Sequence, residues 1–127
     1  MNYGFGGLIS LHMDASGNDQ QDSFIGGGRF TTAMVYLSEV QSGGFTIFPK
    51  LNLFFKPESG QLLYWNLKRT DGSVDQRMNH LGCPVMYGDK WIINKWIRWE
   101  AQMDNFKCFL PRGVNFPSNK DVISKLK

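Results

Sequence analysis

Apolar and polar positions alternate in several short stretches of the chain, and glycine-rich or polar segments separate them. This alternation, with its enrichment in β-branched and aromatic residues, predicts strands rather than helices. The predicted strands cover residues 5–13, 29–40, 45–49, 61–67 and 90–101. Short strands at close spacing, with little predicted helix, indicate an all-β sandwich, barrel or jelly roll.

The last predicted strand, KWIINKWIRWEA, has the clearest pattern. Its even-numbered positions from Lys90 to Arg98 share one face, and the odd-numbered positions between them share the other. The end of the chain differs, because Val122, Ile123 and Leu126 recur at helical spacing. We therefore expect one minor helix in the tail of an otherwise all-β protein.

Length and composition limit the class of protein. The chain has 127 residues, the size of one domain, and its 42% hydrophobic and 20% charged residues are typical of a globular protein. The net charge of +3 comes from scattered lysines and arginines, which favours a solvated surface over a nucleic-acid-binding face. No apolar run is long enough to span a bilayer, and no secretion signal follows Met1.

The stretch LISLHMDAS contains one of the two histidines of the chain. Side chains at positions i and i+2 of a strand point to the same side, so His12 and Asp14 project together. This pair alone is only weak evidence, because a surface ion pair or a helix cap would also explain it. With His80 it becomes a set of two histidines and one carboxylate, which non-haem Fe(II) oxygenases use to leave open positions on the metal.

A lysine ten residues after the second histidine is a further candidate. Lys90 begins a strand that is dense in tryptophan, where burial of an unpaired ammonium would cost roughly several kcal/mol, and this cost indicates that a buried lysine there has a function. Oxygenases with this metal arrangement commonly bind 2-oxoglutarate, whose far carboxylate requires a fixed cation. The alternative is that Lys90 extends its charged end into solvent at the start of the strand.

Four motifs in order resemble the catalytic region of the prolyl 4-hydroxylase α subunit, the animal collagen-modifying type. They are NYGFGGLISLHMDAS, GGGRFTTAMVYLSEVQSGGFTIFP, QLLYWNL and HLGCPVMYGDKWIINKWIR, and the similarity extends from about residue 2 to about residue 108. The resemblance implies an Fe(II)/2-oxoglutarate-dependent dioxygenase with a double-stranded β-helix, or jelly roll. It also implies the roles of individual residues.

The iron ligands that the resemblance implies are His12, Asp14 and His80. The implied 2-oxoglutarate site consists of Lys90, Tyr3, Thr46 and Trp96. Arg29 matches an arginine that holds the peptide substrate, and Arg98 stands where collagen-type enzymes often have a histidine. Composition alone leaves the state of the two cysteines open, but the resemblance implies a disulfide between Cys83 and Cys108.

Some positions depart from the family pattern. Ile9 replaces a tyrosine that the family often has near the substrate proline, Arg98 replaces the histidine, and Tyr64 and Trp65 appear in reversed order. None of these positions is an implied iron ligand. They concern the peptide substrate, so the resemblance defines the core chemistry better than the choice of peptide.

The implied activity is hydroxylation of peptidyl proline at C4, of the procollagen type, with Fe(II), O₂ and 2-oxoglutarate and with release of succinate and CO₂. The resemblance further implies ascorbate to restore the iron, a proline-rich collagen-like peptide substrate, the lumen of the endoplasmic reticulum, and protein disulfide isomerase as a candidate β subunit. It implies neither a nucleic-acid nor a membrane partner. We expect a dioxygenase domain over residues 1–110, without the earliest strands of the family, and a tail over residues 111–127.

Three other interpretations use the same residues. The barrel could be a non-catalytic module that binds proline-rich peptides. A nucleic-acid demethylase shares the metal triad, but such enzymes typically place an arginine where this chain has Lys90. A structural zinc site with Cys83 would need cysteine pairs at zinc-finger spacing, and the sequence has none.

Overall fold

Short strands with alternating burial make up nearly all of the regular structure. The computed structural model describes residues 1–15, 28–69 and 72–98. Two 3₁₀ helices, Pro49–Leu51 and Gln76–Met78, interrupt the strands. The strands are β1 (Asn2–Tyr3), β2 (Ile9–His12), β3 (Arg29–Tyr36), β4 (Ser42–Gly43), β5 (Thr46–Phe48), β6 (Leu53–Phe55), β7 (Leu62–Asn66), β8 (His80–Gly82), β9 (Val85–Tyr87) and β10 (Lys90–Arg98).

Eight of these strands form two antiparallel sheets of four. The sheet with the longer strands, called the larger sheet below, has the order β1-β10-β3-β7. The other, the smaller sheet, has the order β2-β8-β5-β6, while β4 and β9 form a separate pair. The chain passes repeatedly from one sheet to the other, so that strands distant in sequence become neighbours. This is the double-sheet arrangement of a jelly roll, and it confirms the all-β jelly-roll prediction.

The core lies between the two sheets because each strand of the larger sheet turns its apolar residues inward. Along β3 the side chains of Met34 and Tyr36 are buried, and along β7 those of Leu63 and Trp65 are buried. β10 alternates as predicted over its first four residues, with Lys90 and Ile92 inside and Trp91 and Ile93 outside. The core cluster consists of Met34, Tyr36, Phe48, Leu63, Trp65, Leu67 and Ile92.

The predicted strands agree with the observed ones in place, and those predicted over 5–13, 29–40, 45–49 and 61–67 are longer than the observed strands. The end of the strand predicted over 90–101 lies outside the described residues. The strand predicted over 5–13 begins only at Ile9, because the preceding glycines form a turn in which the Gly7 amide donates to the Gly4 carbonyl. The three-residue strands β6, β8 and β9 were not predicted, since so short a segment shows no clear alternation.

Some predictions fall outside the described residues. These are the tail over 111–127 with its helix at Val122, Ile123 and Leu126, and one partner of the implied disulfide, Cys108. The described residues contain no helix with the length and apolar character needed to cross a membrane.

Candidate active site

The two histidines lie opposite each other on adjacent strands of the smaller sheet. His12 is the last residue of β2 and pairs in register with His80, the first residue of β8. Their ring centroids are 4.3 Å apart. Asp14 follows two residues after β2, and its Oδ1 lies 3.5 Å from Nε2 of His12 while its Oδ2 lies 3.9 Å from Nε2 of His80. The structure therefore brings together the three residues that the sequence predicted as iron ligands.

The backbone fixes which nitrogen of each ring is available for a metal. Nδ1 of His12 lies 2.8 Å from the carbonyl oxygen of Ser10, and Nδ1 of His80 lies 3.0 Å from that of Met78. A carbonyl oxygen can only accept, so each neutral ring carries its proton on Nδ1 and presents the Nε2 lone pair toward Asp14. One ligand atom from each of the three residues lies within 4.8 Å of the others. Two imidazoles and a carboxylate so arranged fit Fe(II).

Aromatic packing holds the second histidine in place. The ring of Phe48 stacks on His80 with centroids 5.2 Å apart, and Trp65 meets it edge-on at 5.0 Å. This burial lowers the pKa of His80, because desolvation disfavours the charged ring. His80 therefore stays neutral, the form that binds a metal.

A single pocket of about 220 Å³ connects this triad with Lys90. Lys90 is only 4% exposed, and no carboxylate in the described ranges forms an ion pair with it. Burial lowers its pKa to about 8. The ammonium group does not extend into solvent, in contrast to the alternative interpretation. A pocket with metal-binding groups at one side and a buried cation at the other matches a small dianion.

Hydroxyl and aromatic groups surround the ammonium of Lys90. Its Nζ donates to Oγ1 of Thr46 over 3.4 Å, and it lies 5.7 Å from the ring centroid of Tyr3 and 5.4 Å from that of Tyr36. The hydroxyl of Tyr36 also donates to Thr46, over 2.6 Å. Tyr3 and Thr46 are thus where the sequence predicted them, beside Lys90. Tyr36, fully buried, was not predicted as a site residue.

Arg29 and Trp96 form another side of the pocket. The guanidinium carbon of Arg29 lies 3.8 Å from the centroid of a Trp96 ring, and Nη1 of Arg29 donates to the backbone carbonyl of Asp14 over 3.2 Å. Both residues line the pocket, whereas Arg98 does not. Arg98 instead stands opposite Arg29 where β10 meets β3.

Two features lie away from this pocket. Cys83 is half-buried after β8, and its implied disulfide with Cys108 stays a prediction because Cys108 is outside the described residues. A larger cleft, of about 630 Å³, opens at the edge of the sheets between β6 and β7. Its walls are mainly apolar, and none of the three metal-site residues lines it.

The comparison of the whole sequence with known families decides the class of this site. A family model described as the 2OG-Fe(II) oxygenase superfamily matches residues 1–98. The chain belongs to the 2OG-Fe(II) oxygenase superfamily. The name of this superfamily states two cofactors, 2-oxoglutarate and Fe(II). The pocket has groups suited to both, namely the histidine pair with Asp14 for the metal and the buried Lys90 for 2-oxoglutarate.

The most similar relatives include prolyl 4-hydroxylase α subunits. The human subunit alpha-1 is 36% identical over 112 residues, which cover 86% of this chain and 21% of the relative. The human subunit alpha-3 is 41% identical over 111 residues, which cover 85% of this chain and 20% of the relative. The Caenorhabditis elegans subunit alpha-2 is 35% identical over 116 residues, which cover 89% of this chain and 22% of the relative. The chain thus spans about a fifth of the length of these relatives. The resemblance noted in the sequence is confirmed.

A solved structure shares the fold. The viral collagen prolyl hydroxylase of Paramecium Bursaria Chlorella virus-1, determined as a complex with 2OG, superposes with a TM-score of 0.67 at 32% sequence identity. The match covers 76% of this chain and 55% of the viral protein. The similarity of the two backbones supports the jelly-roll architecture, which was inferred above from the order of the strands.

Proposed function

We propose that this chain hydroxylates C4 of proline residues in procollagen-type peptides, with Fe(II), O₂ and 2-oxoglutarate, and releases succinate and CO₂. The observation that carries the proposal is that two imidazole Nε2 atoms and a carboxylate converge in the same pocket as a buried ammonium, which has no ion-pair partner among the described residues. The names of its relatives, prolyl 4-hydroxylases and a collagen prolyl hydroxylase, support proline as the substrate residue.

The metal end of the pocket would be formed by His12, Asp14 and His80. Hydrogen bonds from Nδ1 to backbone carbonyls orient both rings before any metal arrives. Three protein ligands leave the other positions for a co-substrate and for O₂. When bound, Fe(II) would activate O₂, with 2-oxoglutarate supplying electrons through its oxidative decarboxylation.

The other end would bind the far carboxylate of 2-oxoglutarate. Lys90 would neutralise it, and Thr46 and Tyr3 would donate hydrogen bonds to it. Thr46 suits this role because its oxygen already accepts bonds from Tyr36 and Lys90, which leaves its own proton to donate. The protein would thus fix the length and direction of the co-substrate and keep bulk water out of the pocket.

The peptide would approach at the open side, beside Arg29 and Trp96. A guanidinium stacked on an aromatic ring is a firm platform for backbone carbonyls. Trp96 is also the predicted neighbour of 2-oxoglutarate, and Arg98 a predicted peptide contact. Both roles belong to the proposal.

Further parts of the proposal follow from the family resemblance noted in the sequence. They are ascorbate as the reductant that restores Fe(II), the endoplasmic reticulum lumen as the compartment, a Cys83–Cys108 disulfide, and protein disulfide isomerase as a β subunit. The dioxygenase domain would extend over residues 1–110, and residues 111–127 would form a tail. A disulfide suits an oxidising compartment.

The test is a titration of the 127-residue chain with Fe(II) and 2-oxoglutarate, with succinate formation read on Pro-Pro-Gly peptides. We expect succinate and a peptide product heavier by one oxygen atom. His12→Ala should abolish both, whereas Leu11→Ala, which alters an exposed neighbour, should not. Normal turnover in His12→Ala would refute the metal assignment. Tight peptide binding without succinate would instead identify a peptide-binding module.

A further inference from the structure

Thr32 places a hydroxyl group against the carboxylate of the metal site. Its Oγ1 donates to Oδ2 of Asp14 over 2.6 Å, and both residues are buried. An ionised carboxylate can only accept, so the direction of this bond is fixed. Bonds of this length to a charged oxygen are among the stronger hydrogen bonds in proteins.

The position of Thr32 in the fold makes this donor rigid. Thr32 lies in β3, between Trp96 of β10 and Trp65 of β7, so that strands flank it on both sides. It is 0% exposed and points inward with Met34 and Tyr36, where β3 otherwise carries core residues. A polar side chain at such a position needs a partner, and here the partner is Asp14.

The two oxygens of Asp14 consequently have different surroundings. Oδ2 accepts a hydrogen bond from Thr32 and lies 3.9 Å from Nε2 of His80, while Oδ1 lies 3.5 Å from Nε2 of His12. The terminal torsion of an aspartate is broad in energy, so a fixed donor on one oxygen determines how the carboxylate is rotated. The bond from Thr32 occupies one lone pair of Oδ2, which makes Oδ1 the oxygen with more free capacity to bind a metal.

We propose that Thr32 is a positioning residue of the metal centre, which fixes the rotation of the Asp14 carboxylate and so prepares it to bind Fe(II). The inference deepens the proposed function and depends on it. Hydrogen-bond partners of metal ligands typically change metal affinity by about 10–100-fold when removed. Thr32 should therefore act on metal binding itself, before any turnover.

Thr31 provides a matched control in the same strand. It is also 0% exposed, but it points to the other side of β3 and donates to Oδ1 of Asn66 over 3.0 Å. Thr31→Val thus removes a buried threonine hydroxyl without touching the metal site. Asn66 is exposed and can bind water instead, whereas Asp14 is buried.

The experiment is calorimetric titration of the full chain with Mn(II), a redox-stable substitute for Fe(II), together with the visible spectrum of bound Co(II). We expect Thr32→Val to weaken Mn(II) binding by about 10–100-fold and to change the Co(II) spectrum. Thr32→Ser, which keeps the hydroxyl, should remain within about threefold of the unaltered chain, as should Thr31→Val. If the extra methyl of valine prevents folding at so short a contact, Thr32→Ala removes the donor without crowding.

The outcomes separate the two proposals. Unaltered Mn(II) binding in Thr32→Val or Thr32→Ala, or an equal loss in Thr31→Val, would overturn the role of Thr32 and leave the proposed function intact. If the unaltered chain binds no metal better than His12→Ala does, the metal centre itself is refuted, and the role of Thr32 with it.

Discussion

The ammonium group of Lys90 and the hydroxyl of Thr46 join the two sheets of the barrel through a 3.4 Å hydrogen bond. Lys90 begins β10 of the larger sheet, and Thr46 begins β5 of the smaller one, 44 residues away in sequence. Since Thr46 is neutral, this contact does not compensate the buried charge. Within the part of the chain that the structure describes, the site thus holds a buried cation without an ion-pair partner, which has consequences for both stability and binding.

We expect Lys90→Met to stabilise the chain in the absence of ligand while abolishing its binding of 2-oxoglutarate. Burial lowers the pKa of Lys90 to about 8 in the folded state, from an ordinary value of 10.5. The folded state therefore disfavours the charged form, and removing it should raise the free energy of unfolding at pH 7 by about 1–3 kcal/mol. Urea denaturation and calorimetry with 2-oxoglutarate measure the two effects.

The same pKa gives this prediction a pH signature. Between pH about 8 and 10.5 the unfolded chain holds more protons at this position than the folded one, so stability should rise with pH in that window. Lys90→Met should lack this rise. Lys95→Met, which alters an exposed residue of the same strand, should keep it. An unchanged or lower stability in Lys90→Met at pH 7 would contradict the cost of burial.

Binding of the dicarboxylate should weaken as the pH rises through about 8. Only the protonated form of Lys90 attracts the far carboxylate, so above its pKa the Kd should rise roughly tenfold per pH unit. The groups that face the ammonium are Tyr3, Tyr36, Thr46, Cys83 and His80.

Pyruvate separates the contribution of Lys90 from those of its neighbours, because it has the 2-oxo acid end but lacks the second carboxylate. Binding titrations from pH 7 to 9.5 with Mn(II) present should therefore show that the Kd rises more steeply with pH for 2-oxoglutarate than for pyruvate. Equal slopes for the two acids would assign the pH dependence to another group.

The sequence allowed the metal triad to be predicted because two of its members lie two residues apart, at the end of a predicted strand. The spacing of His12 and Asp14 already places both side chains on the same side. His80 was assigned from its residue type and the family resemblance. Its register opposite His12 depends on a three-residue strand whose sequence, His-Leu-Gly, carries no recognisable pattern.

The groups that support the triad were harder to predict. Thr32 and Tyr36 are ordinary residues for a strand rich in β-formers, and Thr31 beside Thr32 has the same residue type. Only the pairing of β3 with β7 and β10 determines which threonine points to Asp14. Lys90 could be singled out from the sequence because burying a lysine in an apolar strand costs free energy, which points to a function.

Gly43 should tolerate no side chain, because the chain passes too close to it. Its φ is +79°, and a Cβ there would lie within 2.9 Å of the amide nitrogen of Met86 and nearer still to the carbonyl oxygen of Pro84. We expect Gly43→Ala to lower the free energy of unfolding by about 2–4 kcal/mol, from backbone strain and overlap together.

Gly60→Ala separates the two causes. Gly60 has a similar φ of +84°, but nothing lies within 4 Å of the position of its Cβ. It should lose only about 1–2 kcal/mol, the cost of the left-handed conformation. Urea denaturation of both variants measures the difference. Equal losses would show that the contact with Pro84 relaxes without cost.

Trp96→Leu should weaken peptide binding more than 2-oxoglutarate binding. The indole supports the guanidinium of Arg29, and such contacts contribute about 0.5–2 kcal/mol, so we expect KM for a Pro-Pro-Gly peptide to rise roughly 3- to 30-fold. The Kd for 2-oxoglutarate, measured by calorimetry with Mn(II), should change less. Trp91→Leu alters a tryptophan on the outer face of the same strand and should leave both constants unchanged. If the Kd for 2-oxoglutarate changes more than the KM for the peptide, Trp96 belongs to the co-substrate site, as the family resemblance implies. That result would also contradict the proposal that Arg29 needs the indole of Trp96 to bind the peptide.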